Sequence, residues 1–129
     1  MGRGLSDLQK DILLMAYENE QAGHEAYHDE TGPVITAHVK REQILRERFG
    51  WQPDGRFGWF CRNFSRTDIG HDRYNATMAS LSRSLHRLEA RGPVYLTHSA
   101  MAAGWSGAEL TEEGRAEVLR ILERRNAIG

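Results

Sequence analysis

The sequence of residues 74–97, YNATMASLSRSLHRLEARGPVYLT, decides the fold. Its first part predicts an amphipathic helix over 73–91, because large apolar residues recur every three or four positions: Tyr74, Met78, Leu81, Leu85 and Leu88. The helix should end where Gly92 offers a C-cap and Pro93 cannot continue it. Residues 94–97 then predict a strand. A long helix is therefore followed at once by a strand.

A second strand and a last helix follow in the sequence. Residues 93–110 predict a β-hairpin, with a loop of small residues near 100–104 and a returning strand that ends at Leu110. Thr111 can cap a C-terminal helix over 111–126. Glu112 and Glu113 lie in its first turn, where negative charge favours the helix dipole.

The N-terminal half predicts two further helices. Ser6 and Gln9 have the spacing of a capping box, so an N-terminal helix is expected over about 5–22. Residues 29–33, DETGP, predict an interruption of regular secondary structure after the first helix. Residues 34–35 could form a very short strand. Thr36 can cap a second helix over 36–50.

An aromatic connector over 51–72 joins the two halves. All four phenylalanines and two of the three tryptophans lie between Phe49 and Phe64. We expect this segment to pack onto the core, with a short helix near 59–64. The cluster could also line a pocket for a small aromatic effector or stack on unpaired bases. Cys61 within it could be a small core residue or a redox-sensitive thiol.

Length and composition limit the class of protein. The chain has 129 residues with 40% hydrophobic and 27% charged residues, as expected for one soluble domain. Its longest apolar run has five residues, far short of the roughly 20 that a membrane span needs. Because no secretory signal is visible and Cys61 is the only cysteine, we expect a cytoplasmic protein without a disulfide.

Charge is distributed unevenly along the chain. Residues 1–35 hold two cations and seven carboxylates, whereas residues 56–91 hold seven arginines and three carboxylates. Arginine outnumbers lysine by 15 to 2, and arginine suits bidentate contacts with phosphate and guanine. The basic segment could bind an anionic partner or could be an ordinary solvated face.

Two motifs resemble one family of regulators. Residues 79–94, ASLSRSLHRLEARGPV, look like the recognition helix of MarR-like winged-helix regulators, and residues 110–114, LTEEG, are similar to the Leu-Thr-x-x-Gly segment after their wing. The resemblance implies a mainly α fold with a small β-hairpin wing: a winged helix-turn-helix with additional N- and C-terminal helices. Pro93 departs from the apolar residue usual there, and residues 98–104 lack the expected wing Lys or Arg.

The polar face of the long helix supplies the candidate site. It begins with small residues, which would let a helix sit deep in the major groove of double-stranded DNA, and continues into arginines. Arg83 could contact guanine, and Arg73 and Arg87 phosphates. The candidate DNA-binding residues are Arg73, Asn75, Ala76, Thr77, Ala79, Ser80, Arg83 and Arg87. An amphipathic helix with solvated arginines would show the same pattern.

Another motif in the N-terminal half suggests a different function. Residues 24–28 spell H-E-x-x-H, which on a helix would present His24 and His28 as zinc ligands with Glu25 as a general base. No third ligand stands out, so we expect no enzyme activity, no metal and no cofactor. A winged-helix module that binds another protein is the alternative to a sequence-specific, DNA-binding transcription regulator.

Apolar residues near the chain ends suggest a homodimer. Leu119 and Leu122 can face the core of the domain, which would turn Val118 and Ile121 partly away from it. Leu5 and Leu13 fall off the main apolar stripe of the first helix. Apolar positions on both terminal helices could therefore form one shared patch, and a two-fold dimer would read two DNA half-sites.

Overall fold

The computed structural model describes residues 4–52, 64–98 and 104–128. These residues form a mixed α/β structure with five helices, a small three-stranded antiparallel sheet and a separate two-stranded hairpin. The elements are α1 (Asp7–Gln21), β1 (Glu25–Asp29), β2 (Gly32–Ile35), β3 (His38–Lys40), α2 (Arg41–Phe49), α3 (Arg66–Ile69), α4 (His71–Arg91), β4 (Val94–His98), β5 (Trp105–Leu110) and α5 (Glu112–Ile128).

Helix α1 begins as the sequence predicted. The hydroxyl of Ser6 accepts from the backbone N–H of Gln9, and the side chain of Gln9 accepts from the backbone N–H of Ser6. This capping box satisfies two N–H groups that have no partner inside the helix. The face of α1 that carries Ile12, Leu13 and Ala16 is buried in the core.

The segment after α1 corrects the sequence analysis. Residues 25–35 form the antiparallel hairpin β1–β2, and the expected break at 29–33 is its turn. The second helix begins at Arg41, not at 36, because β3 precedes it. Thr36 caps no helix, and its hydroxyl donates to the carboxylate of Glu109 over 2.9 Å.

The three-stranded sheet has the order β3-β5-β4. Val39, Ala108 and Leu96 are neighbours in register on the three strands and form one row across the sheet. All three side chains are buried against the helices. Because side chains alternate along a strand, the neighbouring rows point to the other face of the sheet. The predicted hairpin is confirmed by the register of β4 and β5. Its loop at 99–103 lies outside the described residues.

Helix α4 buries the predicted stripe. Leu81, Leu85 and Leu88 are all fully buried, while Tyr74 and Met78 pack at its edge. The helix starts at His71, two residues before the predicted start at 73. It ends at Gly92, whose φ of 113° is a conformation that L side chains rarely adopt.

Helix α5 contradicts the predicted dimer patch. Val118 and Ile121 are buried in the core, whereas Leu119 is 55% exposed. Leu13 is also fully buried, and Leu5 packs against the core. A different side of α5 therefore faces the core from the one that the sequence predicted. The residues expected to contact a second copy of the chain pack within the chain itself.

The turn between β5 and α5 lies tightly against the end of α4. The hydroxyl of Thr111 donates to the carbonyl of Gly92 over 2.6 Å, and its backbone N–H donates to the carbonyl of Pro93 over 3.0 Å. The same hydroxyl accepts from the N–H of Gly114 over 3.1 Å. A Cβ on Gly114 would lie 2.0 Å from the Pro93 oxygen. The Leu-Thr-x-x-Gly segment thus closes the base of the hairpin.

An ion pair connects the two terminal helices. The guanidinium of Arg115 on α5 donates two hydrogen bonds to the carboxylate of Glu20 on α1, one of them over 2.6 Å. These hydrogen bonds lower the pKa of Glu20 and raise the pKa of Arg115.

In the part of the chain that the structure describes, no helix is long and apolar enough to cross a membrane.

Replacement of Gly114 by alanine should destabilise the protein. Ala normally stabilises a helix relative to Gly, but here its methyl group would collide with the Pro93 carbonyl. We expect a loss of about 1–3 kcal/mol of unfolding free energy in chemical denaturation, typical of an overpacked site. A gain in stability for Gly114→Ala would show that this contact does not constrain the turn.

Replacement of Glu20 by glutamine should cost stability at neutral pH only. Because the folded chain lowers the pKa of Glu20, its ion pair stabilises the fold above the usual pKa of a glutamate and loses this effect as the pH falls. The pair is partly exposed, so about 0.5–1 kcal/mol is expected near pH 7 and almost none near pH 3. Glu18→Gln, on the exposed side of α1, is the matched control. A pH-independent difference for Glu20→Gln would contradict the assignment.

Candidate nucleic-acid interface

The polar face of α4 is presented to solvent. Leucines hold the opposite face in the core, and the candidate residues divide into two groups by burial. Thr77 and Ser80 are half-buried. The exposed residues are Arg73, Asn75, Ala76, Ala79, Arg83 and Arg87. The structure therefore brings all eight predicted residues onto one helix, six of them open to a partner.

Aromatic residues hold the N-terminal half of α4 in place. Trp51, which is buried, stacks on Tyr74 with ring centroids 5.2 Å apart and meets Phe64 edge-on at 5.6 Å. The guanidinium of Arg66 lies 4.9 Å from the centre of the Tyr74 ring on its other side. The expectation that the aromatic connector packs onto the core is confirmed at these positions. Residues 53–63, with Cys61 and most of the proposed short helix at 59–64, lie outside the described residues.

Three arginines of this face form no ion pair with the described residues. Within residues 4–52, 64–98 and 104–128, no carboxylate forms an ion pair with Arg73, Arg83 or Arg87. Arg73 and Arg87 are separated by about 21 Å along the helix axis, at 1.5 Å per residue. The face thus offers a row of solvated cations to an anionic partner.

Two acidic residues of α4 lie away from the centre of this row. Asp72 is in the first turn of the helix. The carboxylate of Glu89 accepts from the backbone N–H of Leu96 over 2.8 Å, so it is directed towards the first strand of the hairpin. Between them, residues 73–88 of the helix carry three arginines and no carboxylate.

The start of α4 has no side-chain cap in the described part of the chain. Gly70, with a φ of 99°, separates α3 from α4 and provides no side-chain cap. The first N–H groups of a helix have no internal partner and carry partial positive charge, which favours a phosphate. Arg73 lies beside this end, so main-chain and side-chain donors are available together.

Sequence reasoning missed His86 on the same side of the helix. His86 is exposed and lies one turn beyond Ser82 and near Arg83 on the helical wheel. Its Nδ1 lies 2.8 Å from the carbonyl oxygen of Ser82, which orients the ring and leaves Nε2 free of hydrogen bonds to described residues. The helical wheel that placed Arg83 on the polar face also places His86 near it, so the sequence alone could have identified His86 as a candidate.

The H-E-x-x-H residues adopt a different geometry from a zinc-binding helix. Glu25–Asp29 is a strand, so His24 and His28 do not share a helical face. The Nδ1 of His24 lies 3.0 Å from the side-chain oxygen of Asn19, and the Nδ1 of His28 contacts the carboxylate of Glu25. In the described part of the chain, no group of three His, Cys, Asp or Glu residues could hold a metal ion.

Comparisons of the chain with protein-family models, with curated proteins and with solved structures found no match.

Proposed function

We propose that the chain is a sequence-specific regulator of transcription that binds double-stranded DNA through α4. The observation that carries the proposal is the exposed face of α4, with small residues and with Arg73, Arg83 and Arg87, on a helix whose other face is fixed in the core. A winged helix-turn-helix is the fold we assign to this arrangement. The element order supports it: after α1 and the separate hairpin β1–β2 come the short strand β3, three helices, and then β4 and β5, which complete one sheet with β3.

The proposed contacts follow from the chemistry of each position. Ala76 and Ala79 would let the N-terminal half of α4 enter the major groove, where larger side chains would hold it off. Arg83 would donate two hydrogen bonds to O6 and N7 of a guanine. Asn75, Thr77 and Ser80 would donate to bases or phosphates near the start of the helix.

Phosphate contacts would fix the helix in the groove. Arg73 and Arg87 lie toward opposite ends of the face and would meet the backbone on either side. The first N–H groups of α4 would add a charge-independent donor set. We expect such a regulator to act in the cytoplasm.

The second candidate function is binding to another protein. The described strands of the hairpin, β4 and β5, contain no Lys or Arg, so they supply no cation to a DNA backbone. The hairpin β1–β2 carries Glu25, Asp29 and an acidic turn residue, Glu30. These features favour a surface for a protein partner over a wing that grips DNA.

Selection from random DNA duplexes distinguishes the two functions. The purified chain is incubated with a randomised duplex library at low and at physiological salt, and bound sequences are amplified and counted. Enrichment of one sequence motif supports the regulator. If no sequence is enriched in the bound fraction even at low salt, the result contradicts DNA recognition and favours the protein-binding module.

Arg83→Ala should weaken binding to the selected duplex and relax its preference at one base pair. The expected loss is about 1–3 kcal/mol, the usual contribution of a bidentate arginine–guanine contact. Arg124→Ala on the exposed side of α5 is the matched control and should bind like the unmodified chain. Unchanged affinity for a folded Arg83→Ala variant would remove Arg83 from the interface.

Arg73 and Arg87 should behave differently in the same titration. Because phosphate contacts carry no sequence information, alanine at either position should weaken binding to all duplexes by about the same factor. The slope of log affinity against log salt should fall by about one unit per arginine. A change in sequence preference without a change in this slope would contradict the phosphate role.

We also propose that the regulator binds DNA as a two-fold homodimer, since one recognition helix reads only a half-site. The buried positions of Val118 and Ile121 remove the patch first expected, but Leu119 leaves apolar surface on α5. Light scattering of the DNA complex should give two chains of 14.7 kDa per selected duplex, and the enriched motif should be a palindrome. One chain on a non-palindromic site would contradict the dimer but not DNA recognition.

A further inference from the structure

His86 lies on the exposed face of α4, between two of the arginines proposed to bind DNA. It follows Arg83 by three residues, which is about 4.5 Å along the helix axis at 1.5 Å per residue. It directly precedes Arg87, and all three side chains are exposed. About one turn of the helix therefore presents two guanidinium groups and an imidazole to the same partner.

Ser82 holds the imidazole ring of His86 in one orientation. The Nδ1 atom lies 2.8 Å from the backbone carbonyl oxygen of Ser82 and 3.3 Å from its hydroxyl oxygen. A carbonyl oxygen can only accept, so Nδ1 carries the hydrogen of this bond. In the neutral ring with this tautomer, the other nitrogen, Nε2, presents a lone pair. The helix itself thus makes His86 an acceptor at Nε2.

The Nε2 atom of His86 is available to a partner. In the described part of the chain, the hydrogen bonds of this imidazole are made by Nδ1 and go to Ser82. The nearest carboxylate along α4 is that of Glu89, which accepts from the backbone N–H of Leu96 and is directed towards β4. No ion pair among the described residues involves His86.

An acceptor has a different use in the major groove from that of an arginine. A guanidinium group can only donate, so Arg83 and Arg87 address guanine O6 and N7 or phosphate oxygens. The amino groups on N4 of cytosine and N6 of adenine are donors and require an acceptor on the protein. Among the exposed side chains of residues 83–88, the imidazole of His86 is the group that can supply one.

The spacing along the helix fits the spacing of the bases. Successive base pairs lie about 3.4 Å apart along the duplex. The separation of about 4.5 Å between Arg83 and His86 along the helix axis is close to one such step. A helix in the major groove would therefore place the two side chains on the same base pair or on neighbouring ones.

We propose that His86 is a specificity-determining residue that accepts, through Nε2, a hydrogen bond from the amino group of a cytosine or an adenine. The contacted base lies within one base pair of the guanine bound by Arg83. This inference rests on the proposed function and adds a base preference to it. Loss of the imidazole changes which base is preferred, whereas loss of Arg87, a phosphate contact, weakens binding to all duplexes alike.

Parallel selections from random duplexes locate the contacted base. The unmodified chain, Arg83→Ala and His86→Ala are each incubated with the library. His86 is exposed, so the fold should persist in the alanine variant, which circular dichroism checks. His86→Ala should select the same motif with the preference lost at one base pair, within one position of the pair that Arg83→Ala relaxes. His28→Ala, an exposed histidine on the hairpin β1–β2, is the matched control and should leave the motif unchanged.

Base analogues then test the hydrogen bond itself. In the selected duplex, the adenine at that position is replaced by purine, or the cytosine by 2-pyrimidinone, each of which lacks the amino group. The unmodified chain should lose about three- to tenfold in affinity, the usual effect of one hydrogen bond. His86→Ala should bind the parent and the analogue duplex equally. The difference between the two proteins removes any effect of the analogue on the duplex alone.

Three results would overturn the role of His86 while leaving DNA recognition intact. The first is an unchanged motif and affinity for folded His86→Ala. The second is equal weakening on all duplexes with a smaller salt slope, which would make His86 a phosphate contact. The third is coupling of His86 to 7-deazaguanine, which lacks the N7 acceptor, in place of coupling to the amino group. A selection by the unmodified chain that enriches no motif would instead overturn the proposed function and this inference with it.

Discussion

The contact between Gly114 and the carbonyl of Pro93 constrains the rest of the structure. It lies where the chain leaves α4 and where it enters α5, so it fixes the base of the hairpin between them. The hydroxyl of Thr111 connects the same two points through Gly92 and the N–H of Gly114. Because backbone groups form most of these contacts, the hairpin cannot rotate relative to α4 without losing several hydrogen bonds at once. A hairpin held in this way has a fixed direction relative to the exposed face of the helix.

That fixed direction matters for a helix that would dock into a groove. Stacking of Trp51 on Tyr74 holds the first half of α4, and Leu81, Leu85 and Leu88 hold the rest. With one face fixed, the arginines on the other face lose little freedom beyond that of their own side chains when they bind. Such preorganisation lowers the ordering cost of association. Three arginines with no carboxylate between them in the sequence are thus held on one rigid element.

The sheet separates two kinds of surface. Its inner row, Val39, Ala108 and Leu96, belongs to the core, and its outer rows carry Glu109, whose carboxylate accepts from the phenol of Tyr95, and Lys40. The hairpin β1–β2 lies beside this outer face and adds Tyr27. None of the eight candidate DNA-binding residues of α4 lines the cleft on this outer face.

The sequence by itself determined the features that depend on neighbours along the chain. Helical spacing defined both faces of α4, Gly92 and Pro93 defined its end, and Ser6 with Gln9 defined the start of α1. Only the tertiary structure decided β3, since its three residues become a strand by pairing with β5, far along the chain. It also decided the hairpin β1–β2 and the rotation of α5, where Val118 faces the core and Leu119 does not. Adjacent apolar residues fit a helical period equally well, so the shape of the surrounding core selects between them.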